Sequence, residues 1–166
     1  MVAFLAALAV APWLHPLTFG PLPGWQTGMS GNTHSTYVGL PGYRSNTSLE
    51  SAAWIATHVR YRDTATADPP HKTLAQLPAN GVIVWAAIFN PALPGDKPIR
   101  LDLSKAKHLR CCEFERVLGG QDVLTGYGPG RAYSVIVRAY YGARPTTALR
   151  ARAQRALEQL TLPPHR

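Results

Sequence analysis

The sequence predicts an α+β domain, an antiparallel sheet of four to six strands with one C-terminal amphipathic helix packed on one face. Three observations carry this. Residues 133–141 (YSVIVRAYY) are a β-branched and aromatic run closed by Gly142. Residues 82–89 (VIVWAAIF) form a second run, apolar on both faces and bounded by Gly81 and Asn90-Pro91, as a strand covered from both sides requires. Leu149, Ala153, Ala156, Leu157 and Leu160 recur at helical spacing between a Thr146 or Thr147 cap and Pro163-Pro164. A doubly wound sheet needs several further helices between strands, and the sequence has no periodicity to supply them.

The remaining elements are justified in chain order. Val2 to Leu14 carries no charge and, with Ala-x-Ala spacings at Ala7 and Ala9, reads as a signal-like or anchor segment. It lacks the basic start of a signal peptide, because no charged side chain precedes Arg44. Residues 1–20 are therefore assigned to this segment and the beginning of a Pro/Gly-rich tether that runs to about Gly31; residues 21–166 are assigned to one domain. Ser51 to Arg62 alternates as a half-buried strand, and residues 72–77 suit one helical turn. Ile99 to Leu103 is a short strand candidate, followed by a brief helix from a Ser104 cap to Leu109. Residues 113–118 and 121–125 read as a hairpin about Gly119-Gly120. On the strand at 133–141, Tyr133, Val135, Val137, Ala139 and Tyr141 are expected inward, and Tyr140 is expected at the surface beside Arg138.

Gly24-Trp25, Leu77-Pro78, Gly81 to Val84, Tyr133 to Gly142, Arg144-Pro145-Thr146, Ala153-Gln154 and Leu157 to Pro163 together resemble an uncharacterised family of small secreted or membrane-anchored bacterial proteins. The resemblance spans about residues 24–164. It implies an extracytoplasmic, single-domain protein and transfers no catalytic residue. The strands followed by a terminal helix are more loosely similar to PsbP/Mog1-like proteins, in fold alone.

Charge and motifs then exclude chemistries. The net charge of +8 comes from 17 Lys and Arg against nine carboxylates, scattered without a block of like sign, so specific nucleic-acid binding is not expected. No G-x-S-x-G is present, and Gly126 to Arg131 (GYGPGR) matches neither dinucleotide nor P-loop patterns. For metal, the candidates are His108, Cys111 and Cys112; adjacent cysteines cannot both bind one ion without strain, and no fourth ligand is spaced to join them. Nor can adjacent cysteines staple distant parts of a fold, because their Cα atoms are held about 3.8 Å apart by the peptide link. A strained vicinal disulfide, intermolecular pairing and free thiols all remain open.

The expected function is a non-enzymatic extracytoplasmic module that binds an envelope protein or a small ligand, with no cofactor and with membrane contact only through the N-terminal segment. Two alternatives stand beside it: a hydrolase assembled in the tertiary fold from residues such as His58, Asp63 and His71, and a metal or thiol-redox protein built on HLRCC.

Overall fold

The computed structural model describes residues 17–30, 35–36, 48–57, 59–66, 70–90, 92, 97–109 and 119–164. The α+β architecture is as the sequence predicts. Six antiparallel strands form the main sheet: Trp25–Met29 (β2), Ser48–Thr57 (β4), Val82–Asn90 (β5), Ser134–Tyr141 (β8), Gln121–Tyr127 (β7) and Lys107–Leu109 (β6), in the spatial order β2-β4-β5-β8-β7-β6. A two-residue strand, Ser35–Thr36 (β3), adds to β4, and Thr18–Phe19 (β1) pairs with Leu160–Thr161 (β9) in a separate ribbon.

Burial explains the strand order. β5 is apolar on both faces and sits inside the sheet, with every residue from Val82 to Phe89 fully buried. Its odd and even positions feed two cores. Val82, Val84, Ala86 and Ile88 join Val135, Val137, Ala139 and Tyr141 beneath the helix Thr147–Leu157 (α2). Ile83, Trp85, Ala87 and Phe89 face the other way, with Leu74 and Leu77 from the turn at His71–Leu74 (α1) and its exit. α2 buries Leu149, Ala153, Ala156 and Leu157, the predicted stripe, and Thr146 caps it by accepting the Leu149 N–H at 3.2 Å.

Several local expectations are corrected. The strand expected at 51–62 begins at Ser48 and ends at Thr57, where β2 supplies the last pairing, Trp25 with Thr57. Tyr140 is 3% exposed, because the second face of the sheet is also covered. Leu17 to Phe19, read as part of the apolar segment and its tether, are packed in the fold: Leu17 is fully buried and β1 is tied to β9. α2 stops at Leu157 so that Leu160 can enter β9, well before the prolines. The hairpin partner expected at 113–118, Cys111, Cys112 and the N-terminal run lie outside the described residues. Among the described residues no helix is long and apolar enough to cross a membrane.

Candidate functional site

The edge beyond β7 differs most from the sequence reading, and the candidate site lies there. Residues 99–103, expected as a strand, make only a bridge: Pro98 lies parallel to Tyr127, the Tyr127 N–H donates to the Lys97 carbonyl at 2.9 Å, and the Ile99 N–H donates to the Tyr127 carbonyl at 3.0 Å. Ser104 does not cap a helix. Asp102 instead accepts the Ser104 N–H at 2.9 Å and starts a single 3-10 turn, Leu103–Lys105, after which residues 107–109 are strand rather than helix. β6 covers β7 only over residues 121–123, and the 97–99 strap covers it only at Tyr127. Among the described residues nothing pairs with Leu124 and Thr125 on this side, which leaves a gap in the edge.

That gap is a concave notch of about 460 Å³, lined by Lys97, Pro98, Arg100, Lys105, Leu124 and Thr125. Three of the six described lining residues are cations. No carboxylate of the described residues lies within ion-pair distance of Lys97, Arg100 or Lys105. The nearest compensation among the described residues is Asp102, a half-buried residue whose carboxyl pKa is lowered first by its bonds to Ser104 and further by Lys105 and Arg100. Leu124 supplies an apolar wall and Thr125 an exposed hydroxyl.

The notch is held open by two devices. The strap passes so close over β7 that a Cβ on Gly126 would stand 2.7 Å from the Lys97 carbonyl oxygen, so only glycine lets it cross. The loop between strap and β6 is clamped to α2 by one side chain: Gln154 accepts the Leu103 N–H at 2.9 Å and donates to the Leu101 carbonyl at 3.0 Å. Leu103 itself is buried at 4% exposure, which fixes the 3-10 turn that carries Lys105.

Two residues along β7 from Leu124, on the same face and so roughly 7 Å away, stands a second polar feature. Asp122 is 2% exposed and is directly opposite His108 in the β6–β7 ladder. One carboxylate oxygen meets His108 Nδ1 at 2.6 Å; the other accepts the Tyr141 hydroxyl at 2.7 Å and Arg150 Nε at 3.1 Å. One buried carboxylate thus joins β6, β7, β8 and α2. Burial, helped by the bond to Asp122, pushes the Tyr141 phenol far up, and Asp122 raises the Arg150 pKa further. The arrangement fixes the imidazole ring and leaves Nε2 as the nitrogen not engaged by Asp122. The ring fits because Gly120 holds φ +82°, and a Cβ there would meet the Leu109 carbonyl oxygen at 2.9 Å and Nε2 at 3.1 Å.

The other sequence candidates do not converge. Asp63 is engaged at the start of α1, accepting the Lys72 N–H at 3.1 Å, the Thr73 N–H at 2.8 Å and the Thr73 hydroxyl. His71 is exposed on that turn, and His58 lies outside the described residues. Of the metal candidates, His108 has Nδ1 committed to Asp122, while Cys111 and Cys112 lie outside the described residues. Among the described residues no three metal-binding side chains cluster. Sequence reasoning missed Lys97, Arg100, Lys105, Asp122 and Gln154. Four cations between Lys97 and Lys107, against the single acid Asp102, were the available signal. Their interleaving with apolar residues disguised it.

Comparison of the chain with protein-family models, curated proteins and solved structures returns no match.

Proposed function

We propose that this domain is an extracytoplasmic, non-enzymatic binding module that takes a small ligand in the notch between the 97–99 strap and β6. The observation that carries this reading is the notch itself: about 460 Å³, with an apolar wall and convergent polar side chains on a rigid sheet edge. Its volume suits a small molecule better than a protein segment, which would seek a longer exposed edge. The uncharged run from Val2 to Leu14 and the resemblance to small secreted bacterial proteins support the compartment.

Thermal denaturation across a chemically mixed small-molecule library tests the binding reading. A ligand that binds only the folded state raises the melting temperature with concentration. Thr125→Trp, at an exposed position, fills the notch without disturbing a core and abolishes that rise. Ligands that stabilise the wild type and the Thr125→Trp variant equally would place binding elsewhere and defeat the assignment. For the compartment, residues 1–25 fused to a phosphatase that is active only outside the cytoplasm should yield activity in a bacterial host. An inactive fusion contradicts export by this segment.

A second reading, hydrolysis, rests on one observation: His108 is oriented by a buried carboxylate, as in an acid–base pair. It predicts that the purified domain cleaves activated phenyl esters and that His108→Ala ends the cleavage. Equal background rates in both proteins would dispose of it.

A further inference from the structure

Resting on the binding reading, the charge of the notch also selects its ligand. Among the described residues three cations line one small concavity, and Asp102 beside it is the one nearby carboxylate, an excess of two positive charges. Like charges gathered at one concavity repel, a cost that an arriving dianion offsets. Asp102 is no substitute for that ligand, because its carboxylate already accepts the Ser104 N–H. Arg100 offers a planar fork of N–H donors suited to an oxyanion, while Lys97 and Lys105 act as mobile point charges on either side of it in sequence. Strand alternation adds neutral donors: the Tyr127 N–H points to the strap, so the Thr125 N–H, two residues earlier, points into the same uncovered edge. The Thr125 hydroxyl is exposed beside it. Leu124 and Pro98 give the walls an apolar character that free inorganic phosphate does not use.

We propose that the ligand of the notch is a small soluble molecule bearing a phosphate monoester, its phosphoryl oxygens held by Arg100, Lys97 and Lys105 and its body lying against Leu124 and Pro98. A carboxylate or a sulfate ester carries one charge and leaves one cation uncompensated. A phosphate monoester carries nearly two at neutral pH.

Calorimetric titration of the full chain with phenyl phosphate, phenyl sulfate, benzyl alcohol and inorganic phosphate tests this. Phenyl phosphate is expected to bind most tightly, phenyl sulfate about tenfold more weakly, and benzyl alcohol not measurably. Inorganic phosphate should fall below phenyl phosphate for want of the apolar contact. Arg100→Gln and Lys105→Gln, both at exposed positions, should each weaken phenyl phosphate by about tenfold, and raised salt should weaken it further. Thr125→Trp should abolish it. Equal binding of phenyl phosphate and benzyl alcohol, both lost in Thr125→Trp, overturns the phosphate assignment and leaves the binding reading standing. Absence of any phenyl phosphate binding overturns the assignment, while a neutral library hit blocked by Thr125→Trp would still uphold the notch. Phosphatidylcholine vesicles doped with phosphatidic acid separate a lipid headgroup from a soluble ligand. Capture by those vesicles with no response to phenyl phosphate overturns the soluble source.

Discussion

At the scale of single residues, Asp122 decides most. Its carboxylate is buried and accepts from His108, Tyr141 and Arg150. Replacing it with Ala leaves the Tyr141 hydroxyl, itself within the core, without that acceptor and removes the counter-charge to Arg150. Loss of one member of a buried charged network costs about 3 kcal/mol. His108 is a quarter exposed and can turn to water, so His108→Ala should cost only about 1 kcal/mol. Urea denaturation of the two variants measures the difference, and equal losses would contradict a hub centred on the carboxylate. Asp122 was not legible in the sequence. It falls in the strand read at 121–125, where nothing local marks a carboxylate as buried, and only the pairing of β6 with β7 places it opposite His108. The phenols carry a second prediction at this scale. Burial raises Tyr133 to about 12 and Tyr141 in the same direction. A tyrosine with a raised folded pKa stabilises fully below its unfolded value of about 10 and loses that contribution as pH climbs through the folded value. Stability should therefore fall between about pH 10 and 12, and less steeply in Tyr133→Phe. That variant also gives up the hydroxyl's bond to the Pro163 carbonyl at 2.6 Å, so the slope with pH, and not the absolute stability, is the quantity to compare.

Among elements, legibility followed burial. β5 and β8 could be read because each is apolar on both faces or bounded by glycine, and α2 because its stripe faces one core. Residues 99–103, read as a strand, and 104–109, read as a helix, were misread for an equally physical reason. The alternation of apolar and charged residues over 99–103 suits a strand. However, Pro98 lacks an N–H for a ladder, and the Asp102 side chain turns the chain before a strand can continue. Gln154 then replaces the missing ladder from the helix side. Two element-scale outcomes follow. Gln154→Ala should cost about 1–2 kcal/mol for its two backbone contacts and weaken ligand binding at the notch, although Gln154 does not line it. Gly126→Ala should drive the strap off Tyr127, visible as faster amide exchange at Ile99 with the amides of β5 still protected. Retained protection at Ile99 would show that the strap does not depend on that glycine.

For the whole molecule, the sheet supplies a rigid frame and its last strand an interrupted edge. The α+β class, the placement of β5 inside the sheet and the face covered by α2 were all legible, because hydrophobic period and length set them. The candidate site was not, since it arises where two short segments leave part of β7 uncovered, and no local pattern records an absence of pairing. Placing a positively charged notch there turns an edge open to unwanted strand pairing into a selective surface, with Lys97 and Lys105 also discouraging another strand from adding. The central claim is that this notch binds a small ligand, and a heteronuclear NMR titration with phenyl phosphate reads it residue by residue. Saturable amide shifts at Ile99, Arg100, Lys105, Leu124 and Thr125, absent in Thr125→Trp, are the predicted result. Saturable shifts confined to other parts of the sheet, or persisting unchanged in Thr125→Trp, would contradict it.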